Sequence, residues 1–69
     1  MPAKSVILDR RKIRALLAEK GWNQTDVGKR MGISQSAVSH YISYGRVKRA
    51  TLERIAAALN VAPEEIEKG

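Results

Sequence analysis

The feature that most constrains this chain is a three-residue turn, Gly32-Ile33-Ser34, set between two short segments of helical periodicity. Val27 and Met31 lie one helical turn apart before it. Ala37, Val38, Tyr41 and Ile42 form one apolar face after it. So short a turn makes the two helices cross at close range. Gly32 can take the positive φ such a turn requires. Gly28 stands in mid-helix, where glycine costs about 1 kcal/mol relative to alanine. A close approach of the second helix would explain it. Asn23, with Asp26 three residues on, reads as a capping-box variant that starts the first helix at Gln24. Ser34 is a strong N-cap for the second, which runs from Gln35 to about Ser43.

Three further helices are expected around this pair. One runs from about Asp9 to Lys20, with Ile13, Leu16 and Leu17 inward and Gly21 as its stop. Asp9 caps its start, with Ser5 as an earlier alternative. Another covers roughly Arg49 to Leu59, with Leu52, Ile55, Ala56 and Leu59 buried and Asn60 ending it. The last is short, about Pro63 to Glu67, with Pro63 suited to the first helical position and Ile66 as its anchor. No segment alternates as a strand does. The expectation is therefore an all-α, compact five-helix fold. It forms a single domain over residues 1–69, with a folded core of about 6–67.

Charge adds a direction. The net charge is +6, but it is unevenly spread. Residues 1–50 carry eleven Lys/Arg against three acids, and residues 51–69 carry two against four. A basic body with a mildly acidic end suits a polyanion on one side. A solvated basic surface without a partner has the same composition. Arg10, Arg11, Lys12 and Arg14 load the start of the first helix with charge that opposes its dipole. They form either a solvated face or a phosphate clamp.

Other classes find little support. Without cysteine the chain can form neither disulfides nor thiolate metal sites. No apolar run approaches the roughly 20 residues of a membrane span, and Met1–Ser5 lacks the apolar stretch of a signal peptide. These features point to a cytoplasmic protein. His40 is the only histidine, and its neighbour Ser39 points in a different direction on a helix. With no carboxylate pair, nucleophile–base set or phosphate loop, no catalytic, metal, cofactor or small-molecule site is expected. The first helix, as a basic membrane-surface binder, lacks an aromatic anchor.

The stretch from Gln24 to Ser43, QTDVGKRMGISQSAVSHYIS, resembles the helix-turn-helix of the phage lambda repressor and Cro family. Gly32-Ile-Ser-Gln-Ser-Ala-Val38 and the following Gly45-Arg46 are particularly Cro-like. Leu52 to Ile66 is similar to the last two helices of the lambda repressor-type domain. The resemblance covers about residues 9–67. It implies a sequence-specific regulator of transcription in a bacterial or phage-infected cell, most simply a repressor that binds a palindromic operator as a homodimer. One short recognition helix reads few bases, and two of them one helical turn apart multiply the affinity. The alternative is an antitoxin or adaptor that uses the same fold to bind a protein.

The resemblance also assigns residues. Gln24 matches a glutamine that contacts a phosphate and braces the recognition helix. Gln35 and Ser36 match the first base-contacting positions, and Ser39 and His40 the next exposed turn. Arg46, Lys48 and Arg49 match a region that approaches phosphates. Asn23, Ser43 and Arg14 complete the expected phosphate-contacting set. The chemistry agrees, because a glutamine amide can donate and accept at once and so suits the N6/N7 edge of adenine. Lys and Arg set affinity and register rather than sequence. Some positions depart from the family. Leu17 and Ile42 stand where many relatives hold an Arg–Glu ion pair, and the two are expected to touch, a replacement that is often neutral or stabilising. His40 replaces the Gln or Lys common at its position. Trp22 replaces a leucine and is expected to be partly buried.

Overall fold

The computed structural model describes residues 5–68; residues 1–4 and 69 of the expected 1–69 domain lie outside the described residues. The element order is β1 (Ser5–Ile7), α1 (Arg10–Lys20), α2 (Gln24–Met31), α3 (Gln35–Tyr44), β2 (Arg46–Lys48), α4 (Arg49–Leu59) and α5 (Pro63–Ile66). All five expected helices are present, with ends within about a residue of the expected ones.

Local chemistry sets those ends. The Asp9 carboxylate accepts from the Lys12 amide at 3.1 Å, so Asp9 rather than Ser5 caps α1. Asn23 accepts from the Asp26 amide at 3.0 Å, and Asp26 accepts from the Asn23 amide at 2.9 Å, closing the capping box. The Ser34 hydroxyl accepts from the Ala37 amide at 3.2 Å. Each of these bonds satisfies an amide that a helix start would otherwise leave without a partner. Gly32 ends α2 at φ 72°, where a side chain would be strained. Asn60 ends α4 at φ 59° and is the non-glycine residue with positive φ among those described.

The all-α expectation needs correcting. Ser5–Ile7 pairs antiparallel with Arg46–Lys48, in the register Ser5↔Lys48, Val6↔Val47, Ile7↔Arg46. The N-terminal strand also bonds on its other side. The Lys68 amide donates to the Ile7 carbonyl at 2.8 Å, and Leu8 bridges to Glu67. Beyond the strand, the Leu8 amide donates to the Gly45 carbonyl and the Asp9 amide to the Ile66 carbonyl. The chain before α1 thus ties the end of α3 to α5.

One apolar core joins all seven elements. It contains Ile13 and Leu17 from α1, Val27 from α2, Val38 and Ile42 from α3, Val47 from β2, Leu52, Ile55, Ala56 and Leu59 from α4, Ile66 from α5, and Leu8 between β1 and α1, with Val6 of β1 packed against it. Leu17 and Ile42 are both buried there. Among the described residues no polar or charged side chain is buried. Trp22 is half-buried as expected, and the Arg30 guanidinium lies 3.9 Å from its ring centroid. The Arg54 guanidinium donates to the Met31 carbonyl at 3.3 Å, satisfying an acceptor at the end of α2. No helix among the described residues is long and apolar enough to cross a membrane.

Candidate nucleic-acid interface

The crossing of α2 and α3 rests on Gly28. A Cβ placed there would lie 2.8 Å from the Ile33 carbonyl oxygen and 3.4 Å from two backbone atoms of Ser34. The Ile33 amide in turn donates to the Gly28 carbonyl at 2.9 Å. The absent side chain lets the turn press onto α2, and this contact orients α3.

With Val38 and Ile42 anchored in the core, the opposite side of α3 faces solvent. Gln35, Ser36, Ser39, His40 and Ser43 together line a shallow hollow on that side. All four expected base-contacting residues are therefore brought to one surface, together with Ser43. Three of the five are serines, whose short side chains keep the surface low. A surface so low allows close approach to the edges of base pairs, and an α-helix fits the major groove.

The expected phosphate-contacting residues divide into groups. Asn23 and Gln24 stand at the start of α2, where Asn23 Oδ1 is already engaged in capping. Arg46 and Lys48 are exposed on one face of β2, and Ile7 and Ser5 lie opposite them in the pairing. Strand alternation puts these four side chains on the same face, while Val6 and Val47 point to the other. Arg49 lies at the first turn of α4, with its guanidinium 3.5 Å from Glu67 and 3.7 Å from Glu53. Arg14 is exposed on α1. The electrostatics favour a polyanion: no Asp or Glu occurs between Asp26 and Glu53, a stretch that carries five Lys/Arg. The start of α3 bears no acid to offset the positive end of its dipole.

Two features of this surface escaped the sequence reading. The first is the sheet, which fixes Arg46 and Lys48 on a common face rather than in a loop. The second is how Tyr44 is placed: where the sequence leaves it either to pack or to contact the DNA backbone, it is 68% exposed at the end of α3 and stacks on His40, with ring centroids 6.0 Å apart and planes within 5°. The four-residue spacing of two aromatic side chains on a helix was the available signal.

A short helix, a tight turn and a second helix that presents a polar face beside basic side chains define a DNA-binding class. The Helix-turn-helix family model matches residues 13–66, and the chain belongs to that family, the lambda repressor/Cro-like helix-turn-helix proteins. It is a DNA-binding regulator. Among solved structures it is similar to the hypothetical transcription factor NHTF from Neisseria, at 25% identity and a TM-score of 0.66. That match covers 94% of this chain and 83% of the other. No curated protein matches the chain in sequence.

Proposed function

We propose that this protein is a Cro- or repressor-like regulator that binds a palindromic operator as a homodimer and acts by occupying a promoter. The observation that carries this reading is the acid-free polar face of α3, set in a stretch between Asp26 and Glu53 that carries five Lys/Arg and no acid. In this reading Gln35, Ser36, Ser39 and His40 contact base edges in the major groove. Asn23, Gln24, Ser43, Arg46, Lys48, Arg49 and Arg14 contact the phosphate backbone. Phosphate contacts supply affinity and register, and the α3 side chains supply sequence preference.

The test is selection of sites from a randomised duplex library, followed by binding at several salt concentrations. A palindrome with half-sites about one helical turn apart, roughly 10 bp, is expected. Gln35→Ala should relax the preference at one position of each half-site. Arg46→Ala should weaken all sequences alike and lower the salt slope by about one. A library that returns no consensus, with binding lost at moderate salt, would leave only the electrostatic contribution and overturn the reading.

A further inference from the structure

We propose that Tyr44 is a positioning residue for base recognition, holding the His40 imidazole in one orientation in the hollow it lines with Ser36, Ser39 and Ser43. This inference rests on the reading of His40 as a base-contacting residue and extends it to a side chain outside that set.

The stability of the domain gives no reason for Tyr44. It is 68% exposed and its hydroxyl makes no hydrogen bond among the described residues, so it adds little to the core. What it does is confine His40. The two rings lie one helical turn apart, nearly parallel, at a centroid separation typical of an offset stack. The His40 ring also lies near that of Tyr41, at 6.3 Å and a tilt of 56°. Tyr41 is half-buried and packed against the core, so that neighbour is fixed. An imidazole on an exposed helix face would otherwise sample several staggered rotamers. With the Tyr44 ring stacked on it and the anchored Tyr41 ring nearby, it is held near one of those rotamers. A side chain ordered before binding loses less freedom when it contacts a base, and contacts to mismatched bases cannot be rescued by reorientation.

The experiment compares the full-length protein with His40→Ala, Tyr44→Ala, Tyr44→Phe and the double alanine variant. Each is profiled on the randomised duplex library, and thermal melting checks that each folds. Tyr44→Ala is expected to flatten the preference at the base pair that His40→Ala flattens, by about two- to tenfold, the range of an aromatic pair. Tyr44→Phe keeps the ring and should keep the preference, and the double variant should add nothing to His40→Ala. In the free protein, Tyr44→Ala should move the proton resonances of His40, the only histidine, as the ring current of the stacked phenol is lost. Unmoved resonances would mean the stack does not exist and would overturn the proposal. So would a Tyr44→Ala variant that binds every sequence more weakly with its profile intact, since Tyr44 would then be a backbone contact. If His40→Ala itself leaves the profile unchanged, the proposal falls because the base-reading role of His40 has failed. A wild-type protein that selects no consensus overturns it together with the operator reading.

Discussion

Alanine at position 28 sets two effects of opposite sign against each other. Gly28 is the fifth residue of the eight-residue helix α2. In an exposed helix interior, Gly→Ala stabilises by about 1 kcal/mol, because alanine loses less backbone freedom on folding. Here the new methyl would sit 2.8 Å from the Ile33 carbonyl oxygen, and 3.4 Å from the Ser34 carbonyl carbon and oxygen. All three atoms are backbone, and the Ile33 amide is itself bonded back to Gly28, so the turn cannot yield by a rotamer change. Overpacking of this kind costs about 1–3 kcal/mol. Relief requires α2 and the turn to separate. The net expectation is a loss of up to about 2 kcal/mol, which lowers the melting temperature by roughly 4–8 °C per kcal/mol in a domain this small. Urea and thermal unfolding followed by circular dichroism measure it. Thr25→Ala, at an exposed position of the same helix, is the control and should be neutral or slightly stabilising. The displaced α3 should also bind the selected duplex more weakly, even at equal folded fraction. A Gly28→Ala protein about 1 kcal/mol more stable than wild type, with unchanged DNA affinity, would refute the close-contact argument.

Other substitutions probe separate parts of the structure. Leu52 is fully buried, so Leu52→Ala should cost about 2–5 kcal/mol. In a small, marginally stable domain that leaves much of the protein unfolded at 37 °C, visible as lost helical signal. Asn60 holds a left-handed conformation at φ 59°, so Asn60→Ala should destabilise by about 1 kcal/mol and Asn60→Gly should not; equal melting temperatures for the two would contradict this. Asn23→Ala opens the capping box of α2 and should cost about 1 kcal/mol by urea unfolding. The ion pairs of Arg49 are largely exposed, so Arg49→Ala should change stability by less than about 1 kcal/mol. A clear fall in DNA affinity with the same variant would identify Arg49 as a phosphate contact despite its acidic neighbours.

Much of the helical framework could be read from individual residues. Asn23 with Asp26, Ser34, Gly32, Asn60 and Pro63 act within a few residues of themselves, through caps and backbone preferences that hold in any fold. The apolar spacing of Val38, Tyr41 and Ile42 likewise identified the inward face of α3, and therefore the outward face of Gln35, Ser36, Ser39 and His40. The strands left no such trace. Ser5-Val6-Ile7 and Arg46-Val47-Lys48 each have a single inward residue, too few to establish a period. They pair across some forty residues of sequence, and each is a strand only because the other lies beside it. Leu8, buried and bonded to Gly45, went unanticipated for the same reason.

Where the helices start and stop, which faces are apolar, and the absence of acids between Asp26 and Glu53 are all properties of the amino-acid order alone. Tertiary structure alone decided which exposed residues become neighbours. It set Arg46 and Lys48 on one sheet face with Ile7, turned Arg49 toward Glu67, and placed the Tyr44 ring on His40. Caps and helical periodicity are short-range effects, set by bonds within one or two turns of chain. Strand pairing, ion pairing and ring stacking depend on distances and side-chain orientations that exist only once the core around Leu52, Leu59 and Ile66 has closed.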